Sequence, residues 1–169
     1  EFDLLIYATG FDGVTGTYDR IDIKGKDGRS LKEDWTSFPR TLFGMQVDGY
    51  PNMFMILGPH TARGNIPRNI EEVVEWQTDL ISFMAENKFD RVEPKSDAVD
   101  EWITTVSKAS EGLLSSKIAS WQTGVNRNVE GRSAPRVLGY NGGAVRYRKI
   151  IEDVASREYE EFTFSKMSQ

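Results

Sequence analysis

Apolar residues follow two different patterns along the chain, one of strands and one of helices. Two short runs, Asp3–Ala8 and Met53–Leu57, are almost wholly apolar, which is typical of strands buried on both faces of a parallel sheet. An alternating stretch at Tyr18–Ile23, followed by the turn residues of Lys24–Gly28, indicates a hairpin or a strand with an exposed turn. A last short strand is expected at Tyr159–Phe164.

Three helices are expected further along the chain. Apolar residues recur with a helical period over 70–84, and this pattern predicts the longest helix. We expect Asn69 to cap it, with Glu72 completing a capping box. A second helix is expected after a cap at Ser96, and a third after Gly143. Strand, loop and helix in this order predict an α/β fold, in which ligands lie beyond the carboxyl ends of the strands.

Two loops are candidates for function. The loop His60–Arg68 joins the second apolar run to the longest helix. A helix N-terminus presents free N–H groups and a partial positive charge, which suit a phosphate or the electron-rich edge of a ring. The alternative is a solvent-exposed connection. Trp121–Tyr140 is rich in glycine and contains a proline, and loops of this length in compact domains are usually functional or mobile.

Composition narrows the class of protein. The 169 residues are 38% hydrophobic and 28% charged, enough apolar material for a core. A net charge of -5 argues against general binding of nucleic acid. The absence of cysteine excludes disulfides and thiol chemistry, and the single histidine, His60, excludes His-rich metal sites. No apolar run reaches the roughly 20 residues of a membrane helix, so we expect a soluble, cytoplasmic protein.

Three motifs together resemble one family. The first, Asp3–Phe11, is similar to a strand of flavoproteins with two dinucleotide-binding domains, the flavin monooxygenase superfamily. With the other two, the chain resembles Baeyer–Villiger monooxygenases of the cyclohexanone monooxygenase type over almost its whole length. The other two motifs are Pro51–Pro59 with Gly64–Pro67 and Ile70-Glu71, and Ser120–Asn126 with Gly139–Gly143 and Tyr147-Arg148.

The resemblance implies an α/β fold, the C-terminal portion of a two-dinucleotide-binding-domain (Rossmann-like) flavoprotein. Residues 1–169 would form the C-terminal part of the FAD-binding domain, with a mobile active-site loop around 121–140. Because the chain contains no G-x-G-x-x-G, we expect the FAD fingerprint, the NADP domain and the family's catalytic arginine upstream of Glu1. The catalytic residues therefore stay unassigned, and the chain alone is expected to be inactive.

The resemblance also implies a reaction and its partners. FAD and NADPH would serve as cofactors, and a peroxyflavin would insert oxygen from dioxygen next to a ketone carbonyl, giving an ester or a lactone. The expected partners are the ketone and the N-terminal part of the same protein; no nucleic acid, membrane or metal is expected. Two alternatives stay open, a related flavin monooxygenase that oxidises nitrogen or sulfur, and a non-catalytic fragment with a structural role.

Individual residues match the family's site positions. Asn65, Ile66 and Pro67 match a loop beside the flavin ring, and Trp121 matches a residue that contacts the nicotinamide cofactor. Asn65 and Pro67 could instead only shape a turn, and Trp121 could instead only anchor a loop to the core. Four further residues match the substrate pocket: Thr61, Ala62, Arg63 and Gly139.

Three residues in or near the predicted site, His60, Arg63 and Gly139, need a separate interpretation. His60 is expected to be a solvated or hydrogen-bonded loop residue rather than a general base. Arg63 is expected to point at water more readily than at a cofactor. The lack of a side chain at Gly139 predicts a widened pocket, and hence the hypothesis of a bulky, polycyclic or steroid-like ketone.

Overall fold

Helices dominate the fold. The structure, a computed structural model, describes residues 2–7, 12–126, 129 and 132–166. Within these ranges the chain forms four α-helices and one two-stranded sheet. The elements are α1 (Leu31–Asp34), α2 (Ile66–Glu86), β1 (Arg91–Pro94), α3 (Ser96–Lys108), α4 (Ala144–Ser156) and β2 (Phe162–Ser165).

One hydrophobic core joins the three long helices and the sheet. Each helix buries one face, and burial of each large apolar side chain contributes roughly 1.5–3 kcal/mol. The Trp76 indole N–H donates a 2.7 Å hydrogen bond to the Ile151 carbonyl, which ties α2 to α4. The buried faces consist of Val73, Trp76, Leu80 and Met84 of α2, Val99, Trp102 and Val106 of α3, and Tyr147, Ile151 and Val154 of α4.

The start of α2 differs from the prediction. Asn65, and not Asn69, caps the helix, because its side chain accepts a 3.1 Å hydrogen bond from the Arg68 amide. Pro67 fits the first turn, where a helix needs no N–H donor. Asn69 is buried instead, and its Nδ2 donates to the Ala62 carbonyl at 2.9 Å. The helical pattern over 70–84 is confirmed, whereas the cap at Asn69 is wrong.

The other two long helices lie close to their predicted positions. α3 begins at Ser96, so that Lys95 takes the cap position expected for Ser96. α4 begins at Ala144, directly after Gly143, as predicted. Gly143 has a φ of 88°, a conformation that glycine adopts without strain.

The strand predicted at Asp3–Ala8 is wrong for the described part of it. Residues 3–7 pair with no strand in the described part of the chain, and Leu4 and Ile6 are each 76% exposed. A strand exists only through hydrogen bonds to a neighbour, which the apolar pattern alone cannot supply. Ala8–Phe11, with the rest of the first motif, lie outside the described residues.

Met53–Leu57 does not form a strand either. Asn52 and Leu57, with φ of 58° and 57°, adopt left-handed conformations that interrupt extended backbone on both sides. Between them, the Met55 amide donates to Met45 and its carbonyl accepts a 2.7 Å bond from the Gln77 side chain. The run is apolar because it packs against two clusters of the core.

The remaining strand predictions hold only in part. The predicted hairpin at 18–28 reduces to two 3₁₀ turns and one bridge between Lys24 and Ser30. The last strand is confirmed near its predicted place as β2, which pairs antiparallel with β1 and sets Val92 opposite Phe164. β1 was missed because its four residues are too few for a period to show. No helix in the described ranges has the length and apolarity needed to cross a membrane.

Candidate functional site

A cavity of about 360 Å³ lies at the N-terminus of α2, where residues 57–66 meet residues 121–122 and 138–139. This volume falls in the range of small-molecule sites. Six of the eight predicted site residues line it, and the other two, Asn65 and Pro67, form the adjoining start of α2. The lining residues are Val14, Leu57, Gly58, Thr61, Ala62, Arg63, Gly64, Ile66, Asn69, Trp121, Gln122, Leu138 and Gly139. A groove of about 470 Å³ between α3 and α4 contains none of the predicted residues.

Two neighbouring backbone segments form the floor of the cavity. Ala62 pairs with Tyr140 in a parallel bridge. The Tyr140 amide donates to the Thr61 carbonyl at 3.0 Å, and the Arg63 amide donates to the Tyr140 carbonyl at 3.3 Å. The Thr61 hydroxyl donates to the Gly58 carbonyl at 2.8 Å, so this hydroxyl is already engaged within its own loop.

His60 holds this floor together and does not reach the cavity. Its side chain is fully buried and stacks on Phe38, with 5.1 Å between ring centroids. Nδ1 lies 3.0 Å from the Thr41 hydroxyl and Nε2 lies 3.2 Å from the Val137 carbonyl. Burial lowers the pKa of His60 to about 4, so the ring is neutral at pH 7. Because a carbonyl only accepts, Nε2 carries the proton. His60 is therefore a hydrogen-bonded loop residue, the interpretation favoured over a general base.

The backbone around His60 is strained. Leu57 and His60 have φ of 57° and 73°, a left-handed conformation that is rare for residues other than glycine. Such outliers persist only where the surrounding contacts fix them, and they cluster at functional sites. The His60 amide, which donates to the Leu138 carbonyl at 3.1 Å, is one of these contacts.

Arg63 connects the two loops. Its side chain is exposed to solvent, and its guanidinium also donates to the Gln122 side-chain oxygen at 3.0 Å and to the Gln122 carbonyl at 3.1 Å. On the way it crosses Gly139, where an added Cβ would lie 2.7 Å from Arg63 Nε. Gly139 therefore makes room for Arg63 while it also lines the cavity, and the hypothesis of a bulky ketone stays a prediction.

Trp121 lies at the cavity mouth. It begins a short 3₁₀ turn that Ser120 and Thr123 cap reciprocally, and its ring lies against the backbone of Gly13, where a Cβ would lie 2.9 Å from Trp121 Cε3. Trp121 is 54% exposed, whereas the other three tryptophans are at most 6% exposed. This exposure argues against a mere core anchor.

The N-terminus of α2 borders the same cavity. A helix of 21 residues carries roughly half a positive charge at this end. The Asn65 side chain occupies the Arg68 amide, while the Ile66 amide has no partner among the residues that the structure describes. The Ile66 amide, at a residue that lines the cavity, is therefore available as a donor to an electron-rich group, with a favourable dipole.

Sequence reasoning missed several residues of the site. Asn69 carried a signal, a polar residue within a helical pattern, but was interpreted as a cap. Gln122 and Leu57 lie in the stretches Ser120–Asn126 and Met53–Leu57, but nothing marked either as a site residue. Outside the cavity, Arg132, which is almost fully buried and paired with Asp12 and Asp19, was not singled out either.

Comparisons with known proteins give consistent relatives. No family model matches the chain. Cyclohexanone 1,2-monooxygenase of an Acinetobacter species is 40% identical over 162 residues, which cover 96% of this chain and 29% of that protein. Phenazine N-monooxygenase of Lysobacter antibioticus is 38% identical over 162 residues, with the same shares of the two chains. The chain thus spans less than a third of the length of these relatives.

Solved structures agree with these relatives. A crystal structure of cyclohexanone monooxygenase from Rhodococcus sp. Phi1, bound to NADP⁺, matches with a TM-score of 0.89 and 35% identity. The match covers 99% of this chain and 31% of that one. It confirms the predicted α/β fold class, although the described strands pair only with each other.

Proposed function

We propose, from the premise that this chain belongs to the family of Baeyer–Villiger monooxygenases, that its cavity is part of an oxygenase active site. The reaction would use FAD, NADPH and dioxygen to insert one oxygen atom next to a ketone carbonyl, giving an ester or a lactone. The observation that carries the proposal is the convergence of six predicted site residues on one cavity. We assign residues 1–169 to the C-terminal part of an FAD-binding domain, in a cytoplasmic protein.

The residues present fit one edge of a flavin ring. The free Ile66 amide and the dipole of α2 suit the negative charge that a reduced isoalloxazine carries. The cavity of about 360 Å³ holds a single ring system, and the chain has no glycine-rich phosphate loop. We therefore propose that Asn65, Ile66 and Pro67 contact the ring, and that the phosphates bind elsewhere. When bound, FAD reduced by NADPH would activate dioxygen for the transfer of one oxygen atom.

The chain's own residues would position and shield the reactants. The Asn65 cap fixes where α2 begins and thereby aims the Ile66 amide at the cavity. Ala62, paired with Tyr140, closes the floor, and the Trp121 indole covers the mouth, where its N–H can donate to a ribose. Water exclusion matters because water diverts reactive oxygen intermediates into side reactions.

The substrate pocket would be formed by the predicted set. Thr61 and Ala62 contribute backbone and small side chains, and Arg63 contributes a cation tied to Gln122. Since Arg63 already makes two hydrogen bonds to Gln122, we assign it to the wall of the pocket. Gly139 contributes the space that Arg63 occupies.

A second candidate function is oxygenation of nitrogen. It is favoured by the 38% identity to phenazine N-monooxygenase over nearly the whole chain. To separate the two, the purified protein carrying this chain is assayed for NADPH oxidation with cyclohexanone and with phenazine, and the products are identified by mass spectrometry. A lactone supports ketone oxygenation, and an N-oxide alone supports the second candidate. A protein of the relatives' length that binds no flavin would contradict both and favour a structural role.

A further inference from the structure

Arg132 is a buried cation with two carboxylate partners. Only 3% of its side chain is exposed. Nη1 donates to Asp12 Oδ1 at 2.6 Å, and Nη2 donates to Asp19 Oδ2. A charge at this depth is tolerated only when it is paired and hydrogen-bonded, so these contacts determine where Arg132 can lie.

The carboxylates belong to the same turn that Trp121 contacts. Gly13, against which the indole lies, directly follows Asp12. The turn is itself tightly folded, because a Cβ on Gly16 would lie 2.4 Å from Asp12 Cγ. Arg132 and Trp121, both from the loop 121–140, therefore contact this turn, which we define as residues 12–19, at adjacent points.

The described residues around this cluster include one more buried arginine. Arg136 is a second cation nearby, and burial together with the charge of Arg132 lowers its pKa. Among the residues that the structure describes, Arg136 donates only to the Gly124 carbonyl, at 3.3 Å. Arg132 is thus the cation that bridges the two carboxylates, and its two Nη donors reach two separate acids, which the single ammonium of a lysine cannot do equally well.

We propose that Arg132 is a positioning residue, whose ion pairs with Asp12 and Asp19 hold the loop 121–140 against the turn 12–19 and keep Trp121 over the cavity. The part of this proposal that concerns turnover rests on the proposed function. The structural part does not, because it concerns only the position of Trp121.

Trp121 itself reports its position. The other three tryptophans of this chain are buried, and the part of the acrylamide-quenched emission that is lost in Trp121→Phe belongs to Trp121. In Arg132→Gln we expect stronger quenching and a red-shifted emission. We also expect amide exchange over residues 121–125 to accelerate at least about tenfold, the factor that one lost hydrogen bond to a charged group represents.

Two variants serve as controls. Arg157→Gln removes the same charge from an arginine at the C-terminal end of α4, which pairs with three carboxylates. We expect this variant to leave the quenching and emission of Trp121 unchanged. In Arg132→Lys we expect quenching and amide exchange that are intermediate between those of Arg132→Gln and those of the unmodified protein. If Arg132→Gln does not fold, Asp19→Asn weakens the same link and leaves the pair with Asp12.

The outcomes separate this proposal from the proposed function. Unchanged quenching and exchange in folded Arg132→Gln or Asp19→Asn would overturn it, as would an equal change in Arg157→Gln. In the flavin-loaded enzyme we expect a lower kcat at unchanged flavin content, with more NADPH consumed per product formed. If Trp121 is displaced but turnover is unchanged, the structural link between Arg132 and Trp121 is supported and the role of Trp121 in the reaction is contradicted.

Discussion

Arg63 lies directly over Gly139, so that a Cβ on Gly139 would lie 2.7 Å from Arg63 Nε. The two residues are 76 positions apart in the sequence. The Arg63 guanidinium reaches Gln122 because Gly139 has no side chain in its path. This link joins the loop before α2 to the loop that carries Trp121. One wall of the cavity therefore consists of two loops that the hydrogen bonds between Arg63 and Gln122 hold together.

Gly139→Ala tests this relationship. We expect it to displace the exposed Arg63 side chain and to break its hydrogen bonds to Gln122, lowering stability by about 0.5–1.5 kcal/mol, the usual net contribution of a hydrogen bond. Urea unfolding of Gly139→Ala, Arg63→Ala and the double variant forms the cycle. If the pair is coupled, the double variant costs less than the sum of the single changes. Additive costs would show that the two residues act independently.

Trp121→Ala is expected to lower oxygenation more than flavin content. The indole covers the cavity mouth but makes no contribution to the core, so its loss exposes the reactants and leaves the fold in place. Product formed per NADPH consumed reports the first effect, and the absorbance of bound flavin reports the second. An equal fall in both would make Trp121 a structural residue.

His60 predicts a specific dependence of stability on pH. Its pKa is lowered from about 6.5 when unfolded to about 4 in the folded protein, so between these values the unfolded state binds more protons. The contribution of His60 to the free energy of unfolding is therefore fully present above about pH 6.5 and is lost as the pH falls towards 4. The total loss is roughly 3 kcal/mol.

The matched variant is His60→Gln, which does not titrate here. At pH 7 we expect it to be the less stable protein, because it loses the stack on Phe38. The difference in unfolding free energy should shrink between pH 7 and pH 4.5, as measured by urea unfolding at each pH. A difference that does not change with pH would mean that His60 keeps an ordinary pKa in the folded protein.

Asn65 is predicted to act through the N-terminus of α2. Asn65→Ala should cost about 1 kcal/mol, as for other lost caps, and should lower the affinity for flavin because the Ile66 amide loses its fixed direction. Asn65→Asp keeps the cap and serves as the control for stability, while its negative charge should weaken binding of reduced flavin. Thermal unfolding and flavin titration measure the two effects. Normal flavin binding in both variants would show that the N-terminus of α2 does not contribute to the cofactor site.

The helices could be predicted because their signal is local. The apolar period over 70–84 and the glycines before Ala144 mark α2 and α4 without knowledge of any neighbour. Strands need a partner, and for that reason Met53–Leu57, although apolar, was predicted wrongly. Its backbone bonds to Met45 and to the Gln77 side chain instead.

The site could be predicted only as a set of loop positions. The resemblance identified Ile66, Trp121 and Gly139, but not what fixes them. Arg132 lies 120 positions from Asp12, and no local pattern connects two such residues. A long separation in sequence also hid the role of Gly139, whose missing side chain matters because Arg63 crosses it.

The most direct test of the central claim is turnover of cyclohexanone by the purified protein carrying this chain, with NADPH and isotopically labelled dioxygen. The account predicts a bound flavin and a lactone that contains one labelled oxygen atom per molecule. A flavin-containing protein that consumes NADPH but gives only peroxide, or a lactone without the label, would contradict it.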